Sequence, residues 1–206
     1  MSGQNEGITI LKYGNTNTYF IPGNPGGLLI DTDLAGTLPA FYKAIKANRI
    51  RMTDITRILA THYHPDHIGL VSELMKQGIH LLLIDSQIHS VHDSDAVFAK
   101  DRRIRYTPID ETAAAVISCE ESRELLSQMG IGGEIISTPS HSPDSISLIL
   151  DSGDCIVGDL EPFSYLDAYD NNPALENDWN RILAHDPKRV FSGHANVQTG
   201  PFRRTR

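Results

Sequence analysis

Residues 62–67, HYHPDH, crowd three imidazoles and a carboxylate into six positions. In extended backbone, side chains two apart project to the same side, so His62 and His64 reach one point together. Asp66 and His67 fall at an expected helix entry and point elsewhere. Diverging neighbours are hard to satisfy with one ion, which argues for two cations side by side. Neutral imidazole and carboxylate are the donors that zinc and similar borderline cations select. A solvated polar loop is the plain alternative for one such stretch, but the same residue types recur downstream. His141 lies in TPSHSPD (138–144), a turn between two expected strands, Asp159 follows CIVG, and His194 follows RVFSG. Each comes directly after an expected strand end, as the first cluster does. If those ends converge on one rim, seven ligand groups meet there, enough for two cations with positions left for water and substrate.

The elements that must position these residues read as follows. Short β-rich runs at 8–13, 18–21 and 28–30, separated by turns containing Gly, Asn or Pro, predict an antiparallel meander. Apolar residues Leu38, Phe41, Ala44 and Ile45 recur at helical spacing over 38–47, with Thr37 as cap and Pro39 in the first turn. A buried strand over 55–60, a helix over 68–75 ending near Gly78 and a strand over 80–84 form a βαβ-like unit. Residues 85–118 show no usable periodicity and are left unassigned. Beyond them come a helix over 120–129, strands over 134–138, 146–150 and 155–157, a helix over 174–184 and a short strand over 189–191. Asp151-Ser152-Gly153-Asp154 is the expected hairpin turn. Strands and helices in this order predict an α/β fold of two mixed sheets with helices on their outer faces, so that each sheet buries both faces.

With 206 residues, 40% apolar and 21% charged, the chain fits one globular domain over 1–206. It has no run of about 18 apolar residues and no secretory pattern at its start, so no membrane span and a cytoplasmic location are expected. Two cysteines, Cys119 and Cys155, do not make a disulfide framework; Cys155 reads as a buried strand residue. A net charge of −8 works against a nucleic-acid partner, which would require clustered Lys and Arg, and the terminal RRTR (203–206) reads as a solvated tail. His80, His89, His92 and His185 have no ligand-like surroundings and read as surface or hydrogen-bonded histidines. His89 and His92, beside Asp93 and Asp95, are the pair placed to line a substrate entrance. Trp179 reads as core packing.

The ordered set of motifs resembles the metallo-β-lactamase superfamily. Asp31 in LLIDT (28–32) looks like the first of its five motifs, HYHPDH the second, and His141, Asp159 and His194 the third to fifth. The resemblance implies a four-layer αββα sandwich. It also implies that His62, His64 and His141 hold one ion, that Asp66, His67 and His194 hold the other, and that Asp159 bridges them. Asp31 would stand behind a ligating imidazole and fix its tautomer. Members that use a di-iron centre for redox chemistry usually carry Glu where His64 stands, and true β-lactamases usually lack the Asp at 159. The pattern is therefore closest to the glyoxalase II, lactonase and phosphodiesterase branch. Two positions depart from it: the third motif has Ser140 and Asp144 where Gly is usual, and the Tyr that lactonases place just after the bridging Asp has only Tyr165 as a counterpart.

The expectation is a dinuclear metallohydrolase, with zinc as the metal and iron or manganese as alternatives. Its substrate would be a small ester, thioester or lactone, and Asp66 would orient the attacking hydroxide or pass a proton to the leaving group. The competing expectations are a phosphodiesterase, an iron-dependent persulfide dioxygenase-like enzyme, and a metal-binding regulatory protein without turnover.

Overall fold

The computed structural model describes residues 7–100, 105–168 and 171–203. The basic tail beyond Arg203 and part of the unassigned stretch therefore lie outside the described residues. One sheet has six strands in sequence order: β1 (Thr9–Lys12), β2 (Asn17–Ile21), β3 (Gly27–Ile30), β4 (Ile55–Leu59), β5 (His80–Ile84) and β6 (Ala115–Ile117). The first three form the expected antiparallel meander, and β3 to β6 run parallel. The second sheet comprises β7 (Gly133–Ser137), β8 (Ile146–Leu150), β9 (Asp154–Ile156), β10 (Arg189–Phe191) and β11 (Gln198–Thr199), in the order β11-β10-β9-β8-β7.

Alternation along the strands divides the core into layers. Leu28, Ile30, Leu59, Leu82 and Ile84 point between the sheets and meet Leu148, Ile156 and Phe191 from the other side. Their neighbours Leu29, Ile58, Leu81 and Leu83 point outward, beneath α1 (Leu38–Ala47), α2 (Pro65–Ile68), α3 (Val71–Met75) and α4 (Asp95–Phe98). On the far side, Ile149, Cys155 and Val157 face outward to Leu175, Trp179 and Ile182 of α6 (Pro173–Leu183). The remaining helix, α5 (Ser122–Gln128), sends Leu126 into the layer between the sheets. The result is the expected αββα sandwich with both faces of each sheet covered, which is why its strands read as continuous apolar runs.

Two local expectations are corrected. The helix over 68–75 is broken at Gly69 and Leu70 into α2 and α3. At Gly69 the chain passes so close to the loop after β3 that a β-carbon would stand 2.1 Å from the Ala35 nitrogen, so loop packing overrides helical periodicity. Thr37 occupies the cap position of α1 but makes no capping bond; its hydroxyl donates instead to the Leu34 carbonyl. Among its described residues, the unassigned stretch has pieces too short to leave a period: a 3-10 turn at Asp85–Ser90, α4, a second 3-10 turn at Glu111–Ala113 and β6. Among the described residues no helix is long and apolar enough to cross a membrane.

Candidate metal centre at the sheet rim

Because β3 and β4 are parallel, their C-terminal ends share one rim. In the second sheet β9 and β10 are parallel, and β7 points the same way because it and β9 both pair antiparallel with β8. Asp31 follows β3, residues 62–67 follow β4, His141 lies in the β7–β8 turn, Asp159 follows β9 and His194 follows β10. Five chain segments from two sheets thus deliver their polar groups to one place, at the carboxyl ends of strands where open α/β sheets bind ligands.

His64 Nδ1 stands 3.0 Å from His62 Nε2 and 3.2 Å from His141 Nε2. A tetrahedral ion with nitrogens about 2.0–2.1 Å away would set them about 3.3 Å apart, so this donor triangle fits a cation. His194 Nε2 lies 3.2 Å from Asp66 Oδ2 and 3.4 Å from Asp159 Oδ2. Asp159 Oδ1 faces His67 Nε2 at 3.3 Å, yet the alignment leaves both buried atoms without a hydrogen bond. Asp159 Oδ2 is also 4.0 Å from His62 Nε2 and 3.9 Å from His141 Nε2. Three overlapping ligand groups result: His62, His64 and His141; His62, His67 and Asp159; and Asp66, His67 and His194.

The second nitrogens of three imidazoles are engaged, which aims the first ones inward. His67 Nδ1 pairs with Asp31 Oδ2 at 2.9 Å. His62 Nδ1 meets the Thr61 hydroxyl at 3.1 Å, and that hydroxyl donates to Asp31 Oδ2. His194 Nδ1 meets the Asn15 carbonyl at 3.2 Å. Asp31 is fully buried, sits at φ 56° and also accepts from the Thr61 amide through Oδ1, so it serves two of the imidazoles at once. Sequence reasoning missed Asp33, whose carboxylate accepts from the Thr16 amide and holds the turn that presents the Asn15 carbonyl. Its nearness to Asp31 was the available signal.

The floor of the site is buried and its mouth is open. His62 and His67 are fully buried, whereas His64, His141 and His194 are exposed and Asp66 is partly so. Burial, aided by His67, pushes the His62 imidazolium down to about 2. Burial also lowers His67, but Asp31 and Asp159 outweigh it and lift that group to about 10. For Asp159, burial would raise the carboxyl; His67, His62 and His194 together hold it below the usual range. Burial lowers His141. Burial and close charge partners thus push neighbouring groups of one small cluster in opposite directions.

The other singled-out residues lie apart. His92 is taken up by Asp95 and Glu111, His185 lies 3.8 Å from Glu134, and His80 and His89 are exposed. None of the four joins a ligand group among the described residues. Trp179 is buried, with its indole N–H donating to the Glu161 carbonyl, and Tyr165 is exposed in a 3-10 turn, Phe163–Asp167.

A family model for the metallo-beta-lactamase superfamily matches residues 11–194. A beta-lactamase-like protein 2 homolog of Drosophila melanogaster is 27% identical over 195 residues, covering 91% of this chain and 61% of that protein. A hydroxyacylglutathione hydrolase of Rhodopseudomonas palustris is 29% identical over 98 residues, covering 47% of this chain and 30% of that protein. The chain therefore spans less than two thirds of either relative. Among solved structures, TTHA1623 in a di-iron-bound form superposes with a TM-score of 0.69 at 22% identity, covering 94% of each chain. With its two-sheet sandwich, its ordered motifs and a family match running from β1 to the last rim histidine, this chain belongs to the metallo-beta-lactamase superfamily.

Proposed function

We propose that the rim holds two divalent cations and that the chain hydrolyses a small ester, thioester or lactone. One cation would sit on His62, His64 and His141, the other on Asp66, His67 and His194, with Asp159 between them. The observation that carries this reading is the position of Asp159, within 3.3 to 4.0 Å of four imidazoles drawn from both triads. Zinc is the metal the donor set favours; iron is the second reading, because TTHA1623 was solved in a di-iron-bound form.

When bound, such cations would supply hydroxide from water at neutral pH and would polarise a carbonyl. The chain's own residues prepare the place. His62 and His67 form a rigid floor held by Asp31 and Thr61. Asp66 lies on the open side, where its carboxylate can take a proton and hand it to the departing oxygen or sulfur. The ion-pair partners of Asp66 and Asp159 among the described residues are imidazoles, and the chain carries a charge of −8. Both features favour an uncharged acyl group over a phosphodiester. The Rhodopseudomonas relative is named for a hydroxyacylglutathione, itself a thioester, which lies within the proposed class.

The test is elemental analysis of natively purified protein, followed by assays of zinc-, iron- and manganese-loaded chain on esters, thioesters, lactones and phosphodiesters. Turnover of an acyl substrate that a chelator abolishes is expected. Two bound ions with silence across the whole panel would instead mark a metal-binding regulatory protein.

A further inference from the structure

Gln87 lies one turn beyond β5, fully buried, and its hydrogen bonds go to backbone groups. Its amide nitrogen donates to the carbonyls of Ala60 at 3.0 Å, Thr61 at 3.3 Å and Asp144 at 3.0 Å, and its oxygen accepts from the Ile84 amide at 3.3 Å. A primary amide has two N–H groups, so three carbonyls share two protons. Ala60 and Thr61 lead directly into His62, while Asp144 lies three residues beyond His141. The Asp144 carboxylate completes the connection by accepting from the amide of Tyr63, between His62 and His64, at 2.7 Å. One side chain just beyond the end of β5 thereby ties the segment carrying His62 and His64 to the second-sheet turn carrying His141.

The other half of the rim has its own clamp. Asn17 on β2 donates through its side-chain amide to the carbonyls of Ser192 and Ala195, each at 2.9 Å, and through its backbone amide to the Gly193 carbonyl. These contacts hold only the turn that carries His194.

We infer that Gln87 is a positioning residue that sets the reach between the His62–His64 pair and His141, so that one cation subsite depends on it while the other depends on Asn17. The inference rests on the two-cation reading above. Hydrogen-bonding partners one step removed from a metal commonly change its affinity ten- to hundredfold, and a clamp between two ligand-bearing segments acts in the same manner.

The experiment loads the full chain with cobalt, counts ions by elemental analysis, measures each affinity by chelator competition and records visible spectra. His141→Ala and His194→Ala serve as references for loss of each subsite. Wild type is expected to hold two ions. Gln87→Leu should keep one at unchanged affinity, weaken the other about tenfold or more, and leave the residual spectrum of His141→Ala. Asn17→Ala should instead leave that of His194→Ala. General loosening of the fold would not separate the ions in this way. Should Gln87→Leu fail to fold, Asp144→Ala removes the neighbouring strut and should weaken the same ion. Equal weakening of both ions, or none, in a folded variant overturns the inference while wild type still holds two. A wild-type chain that holds fewer than two ions removes the two-cation reading, and this inference with it.

Discussion

The two rims of the sandwich offer opposite combinations of shape and chemistry. Where β3, β4, β7, β9 and β10 end, Asp31, His62 and His67 are fully buried and seven ligand-type residues face one another. At the other rim, where β8 ends and β9 begins, lies a cavity of about 580 Å³ lined mainly by glycines and by Ile21, Pro22, Ile131 and Leu150. Its charged groups include Asp154, which forms a bidentate pair with Arg189. This hollow is thus not where the titratable groups converge. Buried polarity gathers at the first rim, and a mainly apolar hollow lies at the second.

Substitutions can test that contrast, beginning with the largest effect. Asp159→Ala removes the carboxylate between the triads and should abolish metal-dependent turnover while circular dichroism shows a retained fold; Asp154→Ala at the other rim should leave kcat intact. If Asp159→Ala turned over normally, the two rims would be functionally alike. Asp31→Asn keeps the volume but removes the charge behind His67 and Thr61. It should weaken metal binding about ten- to hundredfold, measured by chelator competition.

At the quieter rim, Asp154→Ala breaks the paired hydrogen bonds to a half-exposed Arg189 and should lower stability by about 1 kcal/mol. For a chain of this size that is about 2–4 °C in Tm, with no change in metal content. The smallest effect is expected at His92, between Asp95 Oδ2 and Glu111 Oε2 at 2.9 Å each. These hydrogen bonds raise its pKa, so the clamp contributes fully below the pKa of an unfolded histidine and is lost as pH rises through the raised folded value. His92→Ala should therefore cost less than about 1 kcal/mol in mildly acid solution, screened as the pair is, and nothing at alkaline pH. A cost that grew with pH would contradict this sign.

What the sequence made legible divides along the same line. The residues of 62–67 stood out because ligand types crowd together, and His141, Asp159 and His194 because each follows a strand end recognisable from its apolar run. Central strands such as β3 and β8 were readable because both of their faces are buried. Gln87 and Asn17 were invisible because their contribution is made through backbone carbonyls, whose positions only the folded chain defines. Residues 85–118 resisted for a different reason: among those described, turns, a four-residue helix and a three-residue strand never sustain a repeat long enough to see. The break at Gly69 reflects a close approach to the loop after β3, which no helical pattern records.

Because the ligand groups are drawn from both sheets, whatever occupies them together also braces the sandwich against coming apart. Occupancy and folding are then linked by mass action: a cation at a hundredfold excess over its dissociation constant adds about 2.7 kcal/mol to the assembled state if the unfolded chain does not bind it. The melting temperature of this chain becomes a gauge of its cation supply, and scarcity of the ion would register first as fragility.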